Sequence, residues 1–168
     1  MLKAVYKYRD YLKIYKFNLK NKRINIKNFH KIVLKNASIL ILENIKTKKI
    51  LLIKEFRAAH KKKIFGFPGG LIDKKETPLE CIKREAKEEI GIKINNVRLI
   101  GKFIRNGNYH CGIDYIFVAS TRIVKIKTDD SVDFKWVSKN QLKNTFLKRN
   151  IFKNSGFFSA ASLFLLKF

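Results

Sequence analysis

A mixed α+β architecture, an α–β–α sandwich rather than a doubly wound sheet, is what this 168-residue chain predicts. Three observations lead there. Short runs of period-two or unbroken apolar character fill the first part of the chain. One segment, from Thr77 to Gly91, switches to the helical period. Strands then resume before a strongly apolar C-terminal stretch. With 46% hydrophobic residues, 30% charged residues and 2 prolines, collagen-like, low-complexity and globally disordered classes are excluded. The length suits one domain with a real core.

Tyr11–Leu19 alternates and predicts a strand, Asn21-Lys22 a tight turn, and Arg23–Ile26 a second strand. Ala37–Leu42 is a buried strand interrupted only by Ser38. Lys46–Lys49 is a polar turn into the strand Ile50–Ile53, so the two read as a hairpin. Phe65-Gly66-Phe67 is a short strand cut off by Pro68 and two glycines. Thr77 is an N-cap, Pro78 suits the first turn, and Glu80 completes a capping box. The helix runs to Ile90, and Gly91 stops it. Val97–Ile104, Ile113–Ala119 and Val132–Val137 read as strands, Asn140–Lys148 and Ile151–Leu166 as helices.

Charge sets the chain apart. Lysine and arginine number 38 against 13 acidic residues, a net +25. Such a protein attracts polyanions without a dedicated site. A lysine-, isoleucine- and asparagine-rich coding bias yields the same balance, so a nucleic-acid partner stays open. Cys81 and Cys111 form no CxxC pair, which argues against a disulfide scaffold and a cysteine zinc site. Met1–Lys20 lacks a signal-like apolar run, and Phe157–Leu166 is too short to span a bilayer. The expectation is a cytoplasmic protein with no membrane partner. His30 and His110 make no metal pair. His60-Lys61-Lys62-Lys63 is a candidate polyanion contact that could steer an anionic substrate.

Six of the 13 acidic residues lie between Asp73 and Glu89. With Glu85 at 0° and steps of about 100°, Glu89 falls near ~40° and Glu88 near ~300°, beside the apolar stripe of Leu79, Ile82, Ala86 and Ile90. Three like charges on one face repel. A divalent cation reverses that, and oxygen-only ligands suit Mg²⁺ or Mn²⁺, completed by water and phosphate oxygens. The chemistry implied is water attack on phosphorus. A solvated acidic helix face is the competing reading. Pro68-Gly69-Gly70 just ahead can bring backbone close to a ligand.

Residues 70–92 read GLIDKKETPLECIKREAKEEIGI, which resembles the signature of the Nudix hydrolases. Each defined position is filled: Gly70, Glu76, Arg84, Glu85, Ala86, Glu88, Glu89, Gly91 and Ile92. The resemblance implies the Nudix fold, an α–β–α sandwich with a mixed sheet, plus a small N-terminal antiparallel sheet. It implies hydrolysis of a diphosphate bond in a nucleoside diphosphate derivative, with Mg²⁺ or Mn²⁺ as cofactor. Glu85 and Glu89 would be principal ligands, Glu88 another ligand or the organiser of the attacking water, and the carbonyl of Gly69 or Gly70 a further ligand. Glu76 and Arg84 would hold the loop, and Gly91 would end the helix.

The flanks are similar to the ADP-ribose pyrophosphatase branch. LLIKEFRAAHKKKIFGFPGG carries that branch's aromatic-arginine pair, which would place Phe56 and Arg57 near a small-molecule nucleotide substrate. Asp129 and Asp130 fall where that branch has an acid assisting the water. Tyr109 or His110, in a loop that departs from the branch's pattern, could serve substrate selection. The expectation is one Nudix hydrolase domain over 1–168, a homodimer to which strands in 1–30 contribute, and a C-terminal apolar helix over 151–168. Two alternatives accompany it: action on RNA 5′ ends or dinucleotides, and a noncatalytic RNA- or ribosome-binding protein of the same fold.

Overall fold

A computed structural model describes residues 4–9, 11–105, 107, 110–128, 133–147 and 155–168. β1 (Ala4–Tyr8), β2 (Leu12–Lys20) and β3 (Asn25–Leu34) form a three-stranded antiparallel sheet. A second, mixed sheet contains β4 (Ala37–Asn44), β5 (Ile50–Arg57), β6 (Lys62–Gly66), β7 (Gly69–Leu71), β8 (Arg98–Arg105), β9 (Gly112–Thr121) and β10 (Asp133–Val137). Its main path runs in the order β10-β5-β4-β9-β8, and the two short strands join it where β6 pairs with β5 and β7 with β4. β4 and β9 run parallel, while the other pairings are antiparallel.

The sheet is central because both its faces are apolar, and strand alternation decides which residue goes where. Leu40, Leu42, Leu51, Ile53, Phe117 and Ala119 point to one face, where they pack on Ile82, Ala86 and Ile90 of α1 (Pro78–Ile90). Ile41, Ile50, Leu52 and Ile116 point to the other, against Leu142 of α2 (Lys139–Leu147) and Phe157, Ala160, Ala161 and Phe164 of α3 (Ser155–Lys167). The α–β–α sandwich expected from the sequence is therefore present. Gly101 lets α3 approach β8, since a Cβ there would lie 2.5 Å from Leu163 Cδ2. No helix among the described residues is long and apolar enough to cross a membrane.

Three expectations change. The second strand is not Arg23–Ile26 but the longer β3, which pairs with β2 from Leu12↔Leu34 to Lys20↔Asn25. Its alternation is masked by Asn28, which has φ 57° and sits where β3 carries one extra residue opposite Phe17–Leu19, while its N–H donates to Asn18 Oδ1. The preceding turn is organised by Asn21, whose Oδ1 accepts from the N–H groups of Arg23 and Ile24. The β4–β5 hairpin closes at a single pair, Glu43↔Ile50, and then splays. β7 takes the vacated edge of β4, with Ser38 opposite Gly70 and Ile39 opposite Gly69. β1 is a strand that residue alternation does not reveal. Residues 151–154, Val132 and Lys148, expected in regular elements, lie outside the described residues.

The α1 boundaries follow the sequence closely. Thr77 Oγ1 accepts from the Glu80 N–H, and the Glu80 carboxylate accepts from the Thr77 N–H. Gly91 ends the helix at φ 65°. Thr77→Ala should therefore destabilise the fold by about 1 kcal/mol. The urea midpoint should fall with the slope unchanged.

Candidate active site

The splayed hairpin carries Gly69 and Gly70 onto the edge of β4. Gly69 has φ 150°, and a Cβ there would sit 2.1 Å from the Ser38 carbonyl oxygen. A Cβ on Gly70 would sit 2.1 Å from Glu85 Oε1. Gly69 needs glycine because backbone leaves no room for a side chain, whereas at Gly70 a side chain would displace the Glu85 carboxylate. α1 then brings its acids against them. The Gly69 N–H donates to Glu89 Oε2 at 2.8 Å, and Cys81 Sγ lies 3.7 Å from the Gly70 carbonyl oxygen.

Arg84 organises the loop between β7 and α1. Its Nε and Nη2 fork onto Glu76 at 2.8 and 3.0 Å. Nη1 donates to Glu85 Oε1 at 2.7 Å and Glu88 Oε2 at 3.0 Å, and Nη2 also reaches the Leu71 carbonyl. Glu76 in turn accepts from the Asp73 N–H. Hydrogen bonding from Arg84 holds the Glu76 carboxyl below the usual range, and the same contacts push the guanidinium pKa upward.

Glu85 and Glu89 behave oppositely. Burial raises the pKa of both, more than Arg84 opposes it at Glu85 or the Gly69 N–H at Glu89. The charges of Glu55 and Glu85 push Glu89 further the same way. The Glu85 side chain is only 13% exposed, whereas that of Glu88 is 58% exposed. Cys81 is a buried thiol pushed up to about 11 by burial, so it supplies no thiolate nucleophile.

These residues fit a hard divalent cation. Their donors are all oxygen, and burial raises the pKa of two of the carboxylates, Glu85 and Glu89, a cost that a bound cation would offset. No three acidic, histidine or cysteine side chains among the described residues are gathered as a ready ligand set. Arg84 engages Glu85 and Glu88, and Glu89 faces Gly69.

A pocket of about 450 Å³ opens on the α3 side of the same glycines. Ile39, Ile64 and Leu71 line it, with Phe67 and Phe157 stacked at 4.9 Å between ring centroids. Arg57, His60, Arg105 and Asp114 supply its polar groups.

The structure brings together Gly69, Gly70, Glu76, Arg84, Glu85, Glu88 and Glu89, and it places Arg57 on the pocket wall, ion-paired to Glu55. Phe56 does not line the pocket and is 60% exposed. His110 pairs with Ile32 of β3 and is likewise away from the pocket lining. Asp129, Asp130 and Tyr109 lie outside the described residues. Asp133, next to them, pairs with Lys63 at 3.0 Å.

Sequence reasoning missed Glu55, Arg105 and Asp114. Parity could have found the first: Leu51, Ile53 and Glu55 share one face of β5, so Glu55 continues the row facing α1 and meets Glu89. No local pattern marks the other two.

The fold is thus a mixed sheet between helices, with a glycine loop feeding an acid-bearing helix beside a pocket. The NUDIX domain family model matches residues 34–155, and the chain belongs to that family. The crystal structure of an ADP compounds hydrolase superposes with a TM-score of 0.77 at 20% identity, covering 99% of this chain and 90% of that one. At that identity the likeness is one of fold. An 8-oxo-dGTP diphosphatase of Haemophilus influenzae is 51% identical over 37 residues, 22% of this chain and 27% of that relative.

Glu76→Gln should cost about 1.5–3 kcal/mol at neutral pH, as expected for hydrogen bonds to a charged group. Because the native pKa is lowered, this stabilisation is present above the unfolded value of about 4.3 and is lost as pH falls through the native one. Denaturation curves of wild type and variant should therefore converge in acid.

Proposed function

We propose that the chain is a metal-dependent hydrolase of the diphosphate bond in a nucleoside diphosphate derivative, with ADP-ribose or a related nucleotide sugar as the leading substrate. The observation that carries this is the pair of buried carboxylates, Glu85 and Glu89, set against Gly69–Gly70 at the edge of the pocket. Family membership supports the reaction class. Arg57 on the pocket wall, the arginine of the aromatic-arginine pair before the loop, supports the substrate class.

Glu85, Glu89 and the Gly69 or Gly70 carbonyl would hold Mg²⁺ or Mn²⁺. When bound, the ion supplies charge neutralisation on the diphosphate and acidifies water. The protein's own contributions are separate. Arg84 fixes Glu85 and Glu88 relative to the loop. Glu88, exposed and held through one guanidinium nitrogen, is the carboxylate able to leave that bond and take a proton from water. Arg57 and His60 face the pocket and can meet phosphate oxygens. Asp129 and Asp130 remain candidates for assisting the water. The exposed Val5, Tyr6 and Tyr8 of the small sheet, with Tyr11 in the turn after them, support its use as a homodimer surface.

Action on RNA 5′ ends is the second reading, favoured by the +25 charge. A product assay with magnesium and with manganese decides between them, using ADP-ribose, dinucleotides, nucleoside triphosphates including 8-oxo-dGTP, and 5′-modified RNA. Hydrolysis of ADP-ribose at least ten-fold faster than of RNA ends is expected; the reverse order selects the second reading.

Glu85→Gln and Glu89→Gln should each lower kcat by roughly 100-fold or more, with far-UV circular dichroism unchanged. Full turnover in either variant removes that residue from the site. Arg57→Ala should raise KM about ten-fold with little change in kcat, the pattern of a contact equal in ground and transition states.

A further inference from the structure

We infer that Arg105 is a specificity-determining residue whose guanidinium donates to a neutral acceptor, a ring nitrogen or carbonyl oxygen, on the nucleobase of the substrate. The inference rests on the hydrolase reading for where the diphosphate lies, at Gly69–Gly70. The far wall of the same pocket is then where the rest of the nucleotide goes.

Arg105 ends β8 and Asp114 lies on β9, both on the face that turns toward α3. Arg105 Nε donates to Asp114 Oδ1 at 2.5 Å. Both are largely enclosed, with side chains 19% and 7% exposed. Arg105 Nη2 is buried and has no hydrogen-bond partner among the described residues. An enclosed donor without an acceptor is costly, and such groups call for an explanation.

The surroundings say which acceptor suits it. Asp114 cancels the charge of Arg105, so the guanidinium offers directed N–H groups more than net positive charge. Phosphate is better served by Arg57 and His60, which line the same pocket and are more exposed than Arg105. The adjoining wall is apolar and aromatic, formed by Ile39, Ile64, Phe67 and Phe157, which favours a flat heteroaromatic ring over a hydroxyl-rich sugar. Gly112, paired with Arg105 across the strands, has no side chain to crowd the guanidinium. Contact with a base requires Nη2 to turn out of the wall while Nε stays on Asp114 Oδ1. Arginine to purine acceptors is a recurrent pairing of this kind.

The test is equilibrium binding to the full chain, which needs no turnover. The probes are the four nucleoside 5′-monophosphates and, lacking a base, ribose 5-phosphate, each titrated by calorimetry. Arg105→Lys keeps a cation opposite Asp114 but loses the planar donors. The double variant Arg105→Met/Asp114→Leu removes the ion pair together, leaving no stranded charge. Both should melt close to wild type. The preferred monophosphate should bind at least ~5-fold more weakly to each, while ribose 5-phosphate affinity stays the same. A smaller loss in both variants, an equal loss for ribose 5-phosphate, or a wild type that binds none of the four monophosphates overturns the assignment. A wild type that binds as expected yet cleaves no diphosphate overturns the hydrolase reading and leaves Arg105 as a base reader.

Discussion

The fork of Arg84 onto Glu76 is the contact on which the rest of the site depends. One guanidinium joins a loop residue, two helix carboxylates and the Leu71 carbonyl. Without it the segment between β7 and α1 would have little apolar burial to define its path. With it, the loop is pinned to the helix at a fixed rotation, and Gly70 lies against the Glu85 carboxylate, which a side chain there would displace. The planar, multiply donating geometry matters here, and a lysine would satisfy one acceptor at a time.

That arrangement concentrates negative charge in a strongly basic molecule. Glu85 and Glu89 are desolvated against the sheet, and Glu55 reaches the same place from β5. Arg84 offsets part of this at Glu85 but does not contact Glu89. The surplus is what a divalent ion would neutralise. Among the described residues, none of the lysines that dominate the composition lines the pocket, so the positive charge of the molecule and its acidic cluster lie in different places.

The sheet adds a second requirement. Its two apolar faces divide the labour, since α1 carries the acids on one side and α3 closes the pocket on the other. Gly69 and Gly70 stand at the boundary and belong to both. This explains why the β4–β5 hairpin opens after one pair. A continuous ladder would occupy the β4 edge that β7 needs, and the glycines would lose their place beside Ser38 and Ile39.

Features encoded within a few residues are legible in the amino-acid order alone. The capping box at Thr77, the stop at Gly91 and the shared face of Glu85, Glu88 and Glu89 depend on helical spacing, which local sequence dictates. The family signature lies in the same stretch, so the acid-bearing helix is legible together with its boundaries. What required tertiary structure was everything set by strand register. The parallel pairing of β4 with β9, the splayed hairpin, the full length of β3 and the approach of Glu55 to Glu89 join residues far apart in the chain. The family resemblance places Phe56 together with Arg57 near the substrate, yet in the fold Arg57 lines the pocket while Phe56 is exposed away from it. Arg105 and Asp114 carry no local signature at all. Their meeting arises from the cross-strand alignment of β8 and β9, and pairing between strands leaves no trace in the order of residues along either one.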